Sequence, residues 1–259
     1  MRLSELTWPQ AEKYFAAHDT VIIGVGSIEC HGRHMPLGTD TIIPDFLLEQ
    51  MEQRTDALIC PTIPYGATEY LGDFPGTVNL GPELLYQVLS RVCSELYRHG
   101  ARRFVILNGH GGNRQSIERV GFELQRRGAL LAMLNWWLMA WDLNPAWKGG
   151  HGGGEETAAI LGIKPELVDR SELHAPAALR DLTDELHATG MRTVRYKGVE
   201  VDIPRVTASV TDNGWVGPDH PETATEQWGR DMLRASADYI VDFIGEFQKI
   251  DLEKACRIF

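Results

Sequence analysis

The sequence predicts an α/β fold in which a mostly parallel sheet is covered by helices on both faces. Two patterns carry that reading. Short apolar runs at Val21–Val25, Ala57–Pro61, Arg102–Leu107 and Ala129–Leu134 have the length and residue types of buried strands. Between them lie stretches whose apolar residues recur at helical spacing. Strand and helix alternate, and parallel neighbours need a crossover of about helical length.

Taken in order, Thr7 and Pro9 open a short helix, with a hydroxyl at the N-cap and proline early in the first turn. The run Val21–Val25 is the first strand. Pro44 to Arg54 places Phe46, Leu47 and Met51 at helical spacing, as a helix returning along the sheet. Ala57–Pro61 is the second strand and leads into the loop Pro64 to Leu80, too rich in glycine and proline to be regular. Loops of that length inside a compact fold are usually functional or mobile. Pro82 to His99 is amphipathic, with Leu85, Val88, Leu89, Val92 and Leu96 on one side, and Gly100 ends it. The third strand, a helix from Gln115 to Arg127, and the strand Ala129–Leu134 follow. The aromatic stretch Asn135–Trp141 reads as core or subunit-interface packing. Val168 to Glu200 is polar and weakly periodic, an insertion at the sheet edge or an oligomer contact. Pro204 to Val210 is the expected last strand, and Pro221 to Ile250 a long closing helix. One domain over residues 1–259 accommodates all of this.

Composition narrows the function classes. A formal net charge of −11 argues against a nucleic-acid or anionic-membrane partner, both of which want a basic patch. Neither a signal-peptide run nor the roughly 20 apolar residues that span a bilayer is present, so the expected location is cytoplasmic. The four cysteines, Cys30, Cys60, Cys93 and Cys256, are scattered and suggest neither a disulfide framework nor a metal knuckle.

The densest chemistry follows the first strand, from Gly26 to Asp40. If that strand continues through His31, Glu29 and His31 point to one face, because side chains alternate along an extended chain. Asp40 stands where a returning loop can bring back a second carboxylate. Such a mixed oxygen and nitrogen set suits zinc, manganese or iron, the alternative being a polar loop with a solvated acid and histidine. After the third strand comes Asn108-Gly109-His110-Gly111-Gly112-Asn113, with a histidine just past a strand end, where open α/β sheets place their ligands. A third element, Gly149 to Thr157, puts His151, Glu155 and Glu156 in a glycine-rich loop that runs into a helix.

With these three elements in order, the chain resembles the creatininase (creatinine amidohydrolase) family. The family pattern Gly-Ser-x-Glu-x-His-Gly-x-His-x-Pro-Leu-x-Thr-Asp is matched from Gly26 to Asp40, with Cys30 where glutamine is usual and Arg33 where proline is usual. The resemblance implies a three-layer α/β/α domain, commonly a homohexamer, and a small-molecule substrate. The tryptophan-rich stretch adds its own reason to expect a homo-oligomer. The resemblance further implies two divalent metal ions, Zn, Mn or Fe, held by Glu29, His31, Asp40 and His110, with Asp40 as the bridge. Paired ions of this kind lie about 3.5–4 Å apart and yield a hydroxide nucleophile near neutral pH. True creatininases carry glutamate two residues after the histidine of the second motif, and here that position is Gly112. Glu156 is the available replacement, as a further ligand or as a general base. His151 would be the proton donor to a leaving nitrogen or the partner of a developing oxyanion, and His34 would orient a ligand from behind. Trp147 and the loop carrying Tyr65 would wall the substrate pocket. The implied reaction is hydrolysis of a C–N bond in a small amide, lactam or formamide, with creatinine itself not expected. The alternatives are ring-opening C–C hydrolysis of a cyclic polyol diketone and, least favoured, a non-catalytic metal-binding role.

Overall fold

The computed structural model describes residues 1–176 and 179–257. Helix α1 (Trp8–Ala17) is opened by Thr7, whose backbone N–H donates to Gln10 Oε1 at 2.7 Å, and is followed by strand β1 (Thr20–Val25). Then come α2 (Thr39–Met51), β2 (Leu58–Ile63), α3 (Gly81–His99), β3 (Arg103–Asn108), α4 (Arg114–Arg126), β4 (Leu130–Asn135), α5 (Trp136–Leu143) and α6 (Gly154–Ile163). Strands β5 (His187–Ala188), β6 (Thr193–Tyr196) and β7 (Val199–Asp202) precede α7 (Glu226–Phe247) and α8 (Leu252–Ala255).

Strands β1 to β4 form one parallel sheet in the order β2-β1-β3-β4. Alternation along the strands builds two cores. Ile22, Ile59, Val105 and Leu107 face α2, α5, α6 and α7, where Ile43, Leu47, Trp136, Ile160, Met232 and Ile240 meet them. Val21, Ile23, Leu58, Phe104 and Ile106 face α1, α3 and α4, against Tyr14, Leu85, Leu89, Ile117 and Val120. The result is three layers, α/β/α, with each fully buried aliphatic side chain worth roughly 1.5–3 kcal/mol.

The elements depart from the sequence expectations in three places. Helix α2 begins at Thr39, not Pro44, so Asp40 sits in a helix's first turn and not in a returning loop; Pro44 lies inside the helix, where it lacks the N–H that would donate to the Asp40 carbonyl oxygen. The expected strand Pro204–Val210 is absent: a single 3-10 turn at Thr207–Ser209 occupies it. The strands lie earlier, inside the polar stretch, as the antiparallel sheet β5-β6-β7. Its hairpin turns at Lys197 (φ 47°) and Gly198 (φ 84°), the paired left-handed residues that match strand twist in a two-residue loop. The closing helix also starts later than Pro221, at Glu226, after a separate 3-10 turn. No helix of the described residues is long and apolar enough to cross a membrane.

In the sheet order, β1 has β2 on one side and β3 on the other. The topology therefore switches direction between β1 and β3, and the crevice beyond their C-terminal ends is where open α/β sheets bind ligands.

Candidate metal centre

Strand β1 stops at Val25, so Glu29 and His31 are not on a continuing strand. They are held by a tight loop, in which Glu29 N–H donates to the Leu37 carbonyl at 2.9 Å and Ile28 pairs with Val78. Asp40 enters from the first turn of α2 and His110 from the residues after β3. Gly109 makes their meeting possible, since a Cβ there would overlap the Asp40 carbonyl oxygen.

Two overlapping sets result. Glu29, Asp40 and His110 bring one ligand atom each within 4.8 Å of one another, and so do His31, Asp40 and Glu156. A third set, Glu29, His31 and His151, meets the same limit. His31 Nε2 lies 3.0 Å from Asp40 Oδ1 and 3.6 Å from Glu156 Oε2, while His110 Nδ1 lies 3.0 Å from Glu29 Oε1 and 3.1 Å from Asp40 Oδ2.

The hydrogen bonds around these rings favour cation ligation. His31 Nδ1 is 3.2 Å from the Glu29 carbonyl oxygen, His110 Nε2 is 3.0 Å from that of Ala67, and His151 Nε2 is 2.8 Å from that of Cys30. A carbonyl only accepts, so each of these nitrogens carries the proton. In the neutral ring the opposite nitrogen is then a bare lone pair aimed at carboxylates. Glu29 Oε1 and Asp40 Oδ2 are buried without an aligned hydrogen-bond donor. Lone pairs facing buried, unpartnered carboxylate oxygens repel unless a proton or a metal cation stands between them, so the donor set fits divalent ions.

In the metal-free protein protons take that role. Burial opposes the charge on His31, but Asp40, Glu156 and Glu29 outweigh it and raise the ring to about 10. Burial likewise opposes the charge on His110, which is nonetheless carried well above its ordinary value, chiefly by Glu29 and Asp40. Asp40 is held far below the carboxylate range, the two imidazoles overcoming burial. Burial pushes Glu156 up to about 7 despite His31. His151 goes the other way: burial and the neighbouring His31 lower it to about 4, so it is neutral.

His34 Nε2 contacts Thr157 Oγ1 at 2.9 Å, and among the described residues its ring hydrogen-bonds to none of the candidate ligands, so it braces the helix turn that carries Glu156. Burial lowers it to about 4. Gly112 cannot take the additional acid on this backbone, because a Cβ would overlap the Ala67 carbonyl oxygen and crowd the His110 ring.

The crevice opens into a cavity of about 1100 Å3. Asp40, His110, His151 and Glu156 line it; Trp147 and Tyr65 do not. Trp147 packs against the core under the sheet, and Tyr65 is 44% exposed. The aromatic walls are instead Trp137, Trp141 and Tyr70. Sequence reasoning assigned the first two to packing, yet of the three tryptophans on α5 only Trp136 is fully buried. Glu155, placed by the sequence in the third element, was given no role. It is 1% exposed, its Oε1 accepts from Trp141 Nε1 at 2.7 Å, and burial pushes its carboxyl up to about 9. Its position beside Glu156 at the head of a helix was the only signal.

The sequence profile described as "Creatininase: Creatinine amidohydrolase" matches residues 4–244. The chain belongs to the creatininase family. It is 33% identical over 201 residues to a creatinine amidohydrolase of Pseudomonas putida, covering 68% of this chain and 77% of that one. It is 31% identical over 214 residues to a mycofactocin precursor peptide peptidase of Mycobacterium ulcerans, covering 78% of each. A 3-dehydro-scyllo-inosose hydrolase of Thermotoga maritima is 34% identical over 177 residues, 63% of this chain and 56% of that protein. Among solved structures, one described as creatininase Mn superposes with TM-score 0.74 at 28% identity, covering 96% of this chain and 99% of that chain. These creatininase-family homologues are hydrolases, and the chain is a member of that hydrolase family with candidate metal-ligating residues.

Proposed function

We propose that the protein is a binuclear metal-dependent amidohydrolase that cleaves a C–N bond in a small amide or formamide. The observation that carries this is the shared Asp40, whose two oxygens face two different histidines, each within its own three-residue set. Glu29, Asp40 and His110 would hold one ion, and His31, Asp40 and Glu156 the other. Bound there, divalent cations would polarise a carbonyl oxygen and lower the pKa of water. Glu156 is read as a ligand because its Oε2 lies 3.6 Å from His31 Nε2, inside the second set.

His151 is read as the proton carrier. Its Nε2–H is committed to the Cys30 carbonyl, leaving Nδ1 free to accept a proton and hand it to the leaving nitrogen. Being neutral near pH 7, it is competent to accept. Trp137 and Trp141 offer flat faces for a planar amide and help exclude water from the centre.

The second reading is C–C hydrolysis of a cyclic polyol diketone, favoured by the similarity to the inosose hydrolase. Metal-loaded protein assayed against N-formyl compounds, cyclic amides, short peptides and inosose-type ketones separates the two. Turnover of ketones alone would establish the second reading. For the substrate found, His151→Ala should lower kcat by about 10²–10⁴-fold with metal content unchanged. Unaltered kcat would remove His151 from the chemistry.

A further inference from the structure

The cavity extends well past the metal centre, and its outer wall comes from the antiparallel sheet. Arg192, Arg195 and Glu200 line it from that side, and Lys148 lines it from the loop before His151. None of the three cations forms an ion pair with Glu29, Asp40 or Glu156 among the described residues.

Their commitments differ. Arg192 uses Nε and Nη2 on Asp202, both at 3.2 Å, and Nη1 approaches the Tyr70 hydroxyl at 3.5 Å. Arg195 gives one nitrogen, Nη2, to Glu200 at 3.1 Å across the β6–β7 pair, which leaves Nε and Nη1 unspent. That pair is solvent-exposed, so it is weak and easily displaced. Lys148 has no acid partner among the described residues; its Nζ lies 5.4 Å from the Trp141 ring centroid. In a chain of net charge −11, a wall with unspent cationic donors is a local exception that draws anions into one end of a cleft.

We propose that this wall is an oxyanion subsite: the substrate carries a carboxylate or phosphate received by Lys148 and Arg195, while the bond to be cleaved lies at the metal centre. The inference deepens the amidohydrolase reading and rests on it. Trp141, stacked under Lys148 and tethered to Glu155, links the two parts of the cavity. A substrate filling both is larger than a single small ring, in keeping with the cavity volume.

The test measures binding to the metal-loaded protein, by calorimetry, of three probes: inorganic phosphate, N-acetylglycine and its neutral amide. At least one of the two anions should bind about tenfold tighter than the neutral amide, and Lys148→Ala and Arg195→Ala should each erase most of that preference. Arg195→Lys should restore part of it, and Glu200→Gln, which removes the competing carboxylate, should strengthen it. Dependence on these residues for phosphate alone, or for N-acetylglycine alone, identifies which oxyanion the wall receives. Phosphate that binds wild type and both alanine variants equally, together with no preference for N-acetylglycine, places the anion on the metals and overturns the proposal. Elemental analysis of the same samples keeps the two failures apart. Two ions without an anion preference defeat the subsite alone, whereas an anion preference in protein that takes up no metal defeats the hydrolase reading.

Discussion

Asp40 Oδ1 lies 3.0 Å from His31 Nε2 while its Oδ2 lies 3.1 Å from His110 Nδ1, so one buried carboxylate faces both histidines at once. No other residue belongs to both the Glu29–His110 and the His31–Glu156 sets. Asp40→Ala should therefore abolish binding at both positions, whereas Glu29→Gln and Glu156→Gln should each reduce the content by about one ion, since each serves one position. Native mass spectrometry reads this directly. An Asp40→Ala protein that keeps a full complement would show that the carboxylate bridges nothing.

Removal of metal should make stability strongly dependent on pH. In the metal-free protein the folded value of His31, about 10, lies above its ordinary 6.5. A group raised in this way contributes stability that is fully present below the unfolded value and is lost as pH rises through the folded one. Chelator-treated protein should thus lose thermal stability between about pH 6.5 and 10, and metal-loaded protein should not, because the cation replaces the protons. Melting curves across that window check it; parallel profiles for the two forms would show that His31 is not charged in the metal-free fold.

Gly112 stands where true creatininases place a glutamate, but Gly112→Glu should not build a better metal site here. The added Cβ overlaps the Ala67 carbonyl oxygen, which itself accepts from His110 Nε2, so the substitution pushes on the hydrogen bond that aims a ligand. The expected cost is about 1–3 kcal/mol of stability, as for overpacking generally, with weaker retention of the ion beside His110. Tighter retention, measured by chelator competition, would mean that the loop at Ala67 yields.

What the sequence revealed and what it hid have physical reasons. Buried parallel strands announce themselves as continuous apolar runs, and the residues that follow their ends, Glu29, His31 and His110, meet in one crevice, although Glu29 and His31 reach it from a loop and not from the continuing strand that was expected. Asp40 was found by type, but the start of its helix was set five residues late, because Pro44 mimics a helix start while sitting inside α2. The strands β5 to β7 were hidden by composition: β7 is exposed at every position, so no apolar run marks it. The expected strand at Pro204–Val210 failed for the converse reason, since apolar content there fills a 3-10 turn and a loop. The cavity walls were least legible. Spacing along α5 separates Trp136 from Trp137 by one residue, and which of the two faces the core depends on how the helix sits against α7.

That separation gives the last prediction. Trp147 was the expected wall of the pocket, but it is half-buried against the core cluster that holds Trp136 and Met139, away from the cavity lining. Trp147→Ala should lower the melting temperature, at a cost of about 1–3 kcal/mol for a partly buried aromatic, and leave KM nearly unchanged. Trp141 has the opposite balance. Its indole lines the cavity, donates to Glu155 Oε1 at 2.7 Å and lies 5.4 Å from Lys148 Nζ. Trp141→Ala should raise KM about tenfold or more, because it removes a stacking face and frees both polar neighbours. Trp141→Phe keeps the ring but not the N–H, so it should recover part of the affinity while leaving Glu155 without its donor. Michaelis constants and melting temperatures for the three variants decide the matter. A large rise in KM for Trp147→Ala, with Trp141→Ala near wild type, would return the pocket wall to Trp147.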